Sequence, residues 1–256
     1  MRGATGLIAI ALSACGNAQP EPAPARPPAA KESGGLRVLF IGNSLTYAND
    51  LPGMVQALVG AGRPALEVAM VASPDFSLDD HRQSGAAVRA IAAGRWDFVV
   101  LQQGPSSQPQ NRKQLRASAA TYAPEIRRAG ARPALYMVWP SAGRAGDFEA
   151  ASQSYALAAA DVHGLLLPVG DAWRAAWRRD RSLPLYSADG LHPSQMGTYL
   201  AALVIHGSLH GESCVGLPAS LRAGGQQIEI PPATARLLQE AADEAIARAA
   251  RPAQAE

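Results

Sequence analysis

The chain has 256 residues, with 23 Lys and Arg against 21 Asp and Glu, a formal net charge of +2, and only 2 cysteines. That length suits one domain with a substantial core behind a short N-terminal region. The dispersed charge, with no basic stripe or aromatic platform, speaks against a nucleic-acid partner, and two cysteines do not build a disulfide scaffold.

In chain order, Met1-Arg2 is a short cationic start, Gly6 to Leu12 a brief apolar stretch, and Leu12-Ser13-Ala14-Cys15 a lipobox-like tetrapeptide. The apolar stretch is too short for a membrane-spanning helix. The combination resembles bacterial lipoprotein signals and implies a signal peptide over 1–14 and lipidation of Cys15. An ordinary secretory signal with an incidental Cys is the other reading. Gly16-Asn17 after the Cys, with no Asp, implies sorting to the outer membrane, facing the periplasm. Residues 15–35 then read as a disordered, Pro- and Ala-rich tether, and 36–256 as one domain.

Within that domain, Arg37 to Gly42 is an apolar run that ends in Gly and leads into Asn43-Ser44-Leu45-Thr46. It reads as a buried parallel strand turning into a helix. A serine just past the carboxyl end of such a strand lies where open α/β sheets bind ligands. Ser44 is therefore a candidate nucleophile; the alternative is a helix cap. Further strands are expected at 66–72, 97–101, 133–139 and 165–169. Amphipathic helices are expected at 51–60, 80–93, 112–128, 147–162, 193–209 and 232–248. The alternation predicts an α/β fold with a doubly wound parallel sheet. His81, after Asp79-Asp80, is either a cleft residue or a helix-start residue beside acidic caps, and His163 before a Gly ends a helix.

Late in the chain comes Asp189-Gly190-Leu191-His192-Pro193. The D-x-x-H spacing lets the carboxylate reach the Nδ1 of His192 and hold the tautomer whose Nε2 accepts a proton from Ser44. The competing reading is a surface Asx-turn ahead of a helix capped by Ser194.

Gly-x-Ser-Leu after the first strand and D-x-x-H-P near the C-terminus together resemble the SGNH/GDSL hydrolases, with Asn43 where most members carry Asp. Phe40 to Thr46 is similar to a GNS-type branch. The resemblance implies a flavodoxin-like three-layer α/β/α sandwich with a central parallel sheet, and ester hydrolysis through an acyl-enzyme by Ser44, His192 and Asp189, with no cofactor. Members place a Gly after the second strand, whose N–H donates to the oxyanion, and an Asn in G-x-N after the third. Here Ser73-Pro74-Asp75 brings Asp75 to or beside the Gly slot, and Gln102-Gln103-Gly104-Pro105-Ser106 replaces the G-x-N block. Gln-Gly-x-Ser is similar to the Q-G-E-S block of sialate and acetylxylan esterases, so the expected oxyanion donors are the N–H groups of Ser44 and Asp75 and the amide of Gln103. Gln102 and Ser106 are the alternatives.

The expected activity is that of a lipid-anchored cell-envelope serine esterase acting on small, acetyl-type esters, with acetylated carbohydrate as a candidate substrate. A catalytically silent glycan-binding module and an acyltransferase with the same triad are the rivals. Trp139, Trp173 and Trp177 are candidates for stacking on sugars or for core positions. Cys214 reads as a buried thiol. His206 and His210 have the i, i+4 spacing of a helical metal pair, with Glu212 near. Gly207 is expected to interrupt that helix and no third ligand is evident, so no metal is expected. G-x-S-x-G, S-x-x-K and P-loop patterns are absent from the sequence.

Overall fold

The run Val38-Leu39-Phe40-Ile41 is buried on both faces, as a central parallel strand requires. It forms β1 (Arg37–Gly42) in a computed structural model that describes residues 35–60 and 64–251. The lipobox, Cys15 and the tether lie outside the described residues.

Four more strands join β1: β2 (Glu67–Ala72), β3 (Phe98–Leu101), β4 (Arg132–Tyr136) and β5 (Leu165–Leu167). All pair in parallel, in the order β2-β1-β3-β4-β5. This is the flavodoxin-like doubly wound order, which reverses direction between β1 and β3, where ligands of such sheets bind. Register makes the reversal useful. Gly42 lies opposite Ala72, and Ile41 opposite Leu101, so the segments leaving β1, β2 and β3 emerge side by side.

The helices are α1 (Ser44–Tyr47), α2 (Leu51–Ala57), α3 (Leu78–Ser84), α4 (Ala86–Ala93), α5 (Pro109–Arg128), α6 (Phe148–Asp161), α7 (Val169–Arg179), α8 (Gln195–His210) and α9 (Pro232–Ala249). Apart from α6 meeting α7, their contacts group α3 to α6 together and α2, α7, α8 and α9 together, one set on each side of the sheet. Helix α8 is buried almost all round from Gly197 to Gly207, which matches its continuously apolar sequence.

Several boundaries differ from those expected. The helix predicted over 80–93 is two, broken at Gly85, whose φ of 71° places it in the left-handed region. Gly207 does not interrupt α8, which continues to His210. A Cβ there would stand 2.7 Å from Cys214 Sγ, so the residue is small to admit the thiol. An antiparallel hairpin of β6 (Ser220–Ala223) and β7 (Gln226–Glu229) was not anticipated. Its strands are short, and the turn glycines Gly224 and Gly225, both at positive φ, are its main sequence signal.

Trp139 and Trp173 are fully buried and stack on each other with centroids 3.8 Å apart. They are core residues and do not face solvent for sugar stacking. Cys214 is buried, with its thiol donating to the Leu203 carbonyl. Burial pushes its ionisation well above the usual thiol range, which removes it as a nucleophile. His163, at φ 42°, closes α6 as expected.

Candidate active site

Ser44 opens α1, but it is Asn43 that caps it, its Oδ1 accepting from the Leu45 amide at 3.1 Å. Capping therefore does not occupy the Ser44 hydroxyl. Gln102, leaving the adjacent β3, secures this turn. Its Oε1 accepts from the Asn43 amide at 2.8 Å and from Thr46 Oγ1 at 2.7 Å. Its Nε2 donates to Asn43 Oδ1 at 3.0 Å and to the Gln103 carbonyl at 2.6 Å. Both hydrogens and both lone-pair regions of the buried amide are thus committed. A Cβ on Gly42 would lie 2.3 Å from both Gln102 Oε1 and Thr46 Oγ1. The glycine before the nucleophile turn is the space that Gln102 occupies.

His81, also buried, donates from Nε2 to the Gly42 carbonyl at 2.7 Å. Its ring meets the edge of Phe76 at 5.0 Å. It braces the end of β1 and is not among the residues lining the cleft.

Around Ser44 a cavity of about 300 Å³ opens, lined also by Asn43, Asp75, Ser77, Gln103, Ser106, Asn111, Gln114 and Leu191. The amides of Ser44 and Asp75 have no acceptor among the described residues. Asp75 stands at φ 59°, the backbone region that favours glycine. The slot is left-handed here although a residue with a carboxylate fills it.

The three candidates for the third donor separate cleanly. Gln102 is fully committed. Ser106 Oγ gives its proton to the Gly104 carbonyl at 3.1 Å. Gln103 Oε1 accepts from the Leu78 amide at 3.3 Å, which fixes the amide's orientation, and one Nε2 hydrogen goes to Ser106 Oγ at 3.0 Å. Its second hydrogen has no acceptor among the described residues, on a side chain that lines the cavity.

The loop that brings Leu191 into the cavity lining also carries Asp189 and His192, neither of which lines the cavity itself, and Asp189 splits its work. Oδ1 accepts from the amides of Leu191 and His192, both at 2.9 Å, and from Ser187 Oγ at 2.7 Å. Oδ2 accepts from His192 Nδ1 at 2.6 Å. Both readings of the D-x-x-H string hold at once: Oδ1 makes the Asx-turn, Oδ2 orients the imidazole, and Ser194 caps α8 through the Gly197 amide. The bond to His192, supported by the other three, holds the Asp189 carboxyl far below the usual carboxylate range. With Nδ1 donating, the neutral ring presents an unprotonated Nε2.

Asn49, which sequence reasoning missed, joins the Ser44 segment to the His192 loop, and Trp139 braces that loop from the core. Asn49 donates from Nδ2 to the Pro193 carbonyl at 3.0 Å and to Thr198 Oγ1 at 2.8 Å. It adopts a φ of 53°, which Asn tolerates better than most residues. Trp139 Nε1 donates to the Leu191 carbonyl at 3.0 Å. Ser44 Oγ and His192 Nε2 have no hydrogen-bond partner among the described residues, each other included. Such contacts are often long before substrate binds and tighten in the Michaelis complex.

A doubly wound sheet, a serine at its switch point and a carboxylate-oriented imidazole on the loop before α8 are in keeping with a hydrolase built on an α/β fold. No protein-family model and no curated protein matches the sequence. Among solved structures, a protein of Slackia heliotrinireducens assigned as an SGNH hydrolase is 31% identical, over 69% of this chain and 100% of its own, with a TM-score of 0.59. The chain belongs to the SGNH hydrolases. A DUF4886 family protein from Bacteroides uniformis (19% identity, 83% of this chain and 95% of its own, TM-score 0.65) and a lipase/acylhydrolase from Enterococcus faecalis (18%, 69% and 96%, 0.56) share the fold.

Proposed function

We propose that this chain is a cell-envelope serine esterase of the GNS-type branch, hydrolysing small acyl esters, acetyl above all, on hydroxylated substrates such as carbohydrates. The division of Asp189 carries the reading: one oxygen is consumed by the loop and the other is reserved for His192 Nδ1. In the proposed mechanism Ser44 Oγ attacks the ester carbonyl carbon while His192 Nε2 takes the hydroxyl proton. The N–H groups of Ser44 and Asp75 and the free Nε2 hydrogen of Gln103 meet the oxyanion. The leaving alkoxide takes the proton from His192; water, deprotonated by the same Nε2, then attacks the acyl carbon, and His192 returns that proton to Ser44 Oγ as the acyl group leaves as the acid.

The small volume of the cavity supports a short acyl group, and its mixed lining, with Ser77, Gln103, Asn111 and Gln114 beside Leu45, Phe76, Pro105 and Leu191, leaves polar groups for a hydroxylated alcohol. Hydrolysis of p-nitrophenyl acetate through laurate, by the wild type and Ser44→Ala, tests this. Activity greatest on acetate and lost in the variant is expected. Full activity in Ser44→Ala would sink the mechanism. No activity in either form, on these esters or on acetylated glycans, would assign the chain to a silent glycan-binding module. A new ester formed on an added sugar would assign it to acyl transfer.

The location is proposed from the N-terminal sequence alone: lipidation of Cys15 and an outer-membrane position facing the periplasm. Cys15→Ala should abolish incorporation of labelled palmitate and move the protein to the soluble envelope fraction; unchanged fractionation would remove the anchor.

A further inference from the structure

His206 and His210 lie on an unbroken helix, and a carboxylate from beyond its end joins them. Helix α8 is continuous through both residues, so their side chains share one face. The chain then turns back at Gly211, at φ 68°, with the Gly211 and Glu212 amides donating to the Gly207 carbonyl. That turn brings Glu212 Oε1 to 3.1 Å from His206 Nε2. One ligand-type atom from each of His206, His210 and Glu212 lies within 4.8 Å of the other two, a gathering of His, Cys, Asp or Glu found nowhere else among the described residues.

The hydrogen bonding around the two rings favours a cation. His210 Nδ1 donates to the His206 carbonyl at 2.9 Å, which leaves the Nε2 lone pair of the neutral ring open. A backbone carbonyl on the far nitrogen is the usual outer partner of a metal-binding imidazole. His206 is fully buried, and its Nδ1 makes no hydrogen bond. If Nε2–H donates to Glu212, Nδ1 is a stranded acceptor. If Nδ1 carries the hydrogen, a lone pair faces the Glu212 carboxylate. A divalent cation removes the second conflict by accepting both.

We propose that His206, His210 and Glu212 form a binding site for a divalent transition metal of the Zn(II) type. Two imidazoles and a carboxylate suit that ion, with water completing the coordination. Any proton on His206 Nε2 is released on binding. The rings are stacked, 4.2 Å apart at 27°, so closure around the ion requires a small rotation of His210, the half-buried partner.

The site sits at the far end of α8 from the His192 loop. Sixteen residues of helix span about 24 Å. The metal is therefore structural: it ties the end of α8 to the turn at Glu212.

The test is titration of chelator-stripped purified protein with Co(II), then competition by Zn(II). The expected result is one saturable equivalent with visible absorption bands, displaced by Zn(II). Tm should rise by about 5 °C at a hundredfold excess over Kd. His210→Ala and Glu212→Gln should lose the bands and the Tm shift while their metal-free melts remain cooperative and p-nitrophenyl acetate turnover is unchanged. Absence of saturable binding by the wild type, or undiminished binding by His210→Ala, overturns the proposal. If a variant does not fold, the wild-type stoichiometry and Tm shift decide alone.

Discussion

The two walls of the candidate active site are built on opposite plans. The Ser44 turn is buried and held from a distance, by a glutamine on a neighbouring strand whose four hydrogen bonds all point inward. The Asp189–His192 loop is half exposed, with side-chain exposures of 50% and 35%, and is held mainly by its own Asx-turn. Ser44, the proposed nucleophile, is positioned by the sheet and so shares the stability of the core. His192, the proposed general base, is positioned by a local carboxylate and so has more freedom to adjust.

Breaking the local wall should give the largest effect on turnover with the least on folding. Asp189→Asn is expected to lower kcat by about 10³–10⁴-fold while the urea midpoint falls by a much smaller, still measurable, amount. Equal losses of stability and activity would mean that the loop is not locally held.

Breaking the buried wall should do the reverse. Gln102→Leu is close in volume but strands the Asn43 amide and Thr46 Oγ1, and takes one of two donors from Asn43 Oδ1 and from the Gln103 carbonyl. Leaving two buried groups unsatisfied and two more weakened should cost about 3–5 kcal/mol, read by urea denaturation, with activity falling in parallel.

Asn49 joins the walls, and Asn49→Ala removes both of its hydrogen bonds from a left-handed position. A cost of about 2 kcal/mol is expected, with kcat reduced about tenfold and KM little changed, because the loop shifts relative to Ser44.

Acid should separate the walls as well. A carboxyl whose folded pKa is depressed stabilises the fold above its unfolded value and loses that contribution as pH falls through the ordinary range, about 4, towards the depressed value. The stability difference between the wild type and Asp189→Asn should therefore be constant near neutrality and shrink below about pH 4. A difference that grows in acid would mean that the carboxylate is not held ionised by His192.

The smallest effect is expected at Asp75. In Asp75→Gly, relief of the left-handed strain and the entropic cost of glycine offset each other to within about 1 kcal/mol. Removal of a negative charge beside the oxyanion should raise kcat a few-fold. A lower kcat would show that the carboxylate assists the substrate.

Two strings near the ends of the domain carried most of what could be read directly. Arg37 to Gly42 is apolar without alternation because a central parallel strand has no solvent face, and the D-x-x-H string encodes its own geometry within a single turn. The middle blocks were less legible. Gln102 and Gln103 are adjacent and chemically identical, yet one is a buried strut and the other lines the cavity, because successive residues leaving a strand point in opposite directions. Asn49 carries no sequence signal beyond an Asn in a polar turn. The tryptophans could equally have faced solvent or core.

By itself the sequence determined the alternation of strands and helices, the turn that exposes Ser44, and the Asp189–His192 pairing, since each depends on residues close in the chain. Only the tertiary structure decided which glutamine faces the cavity, that Asn49 ties the two walls, that Gly42 and Gly207 are small to admit Gln102 and Cys214, and that Glu212 returns to His206. Those outcomes depend on strand register and helix packing, which bring together groups whose separation along the chain leaves no local trace.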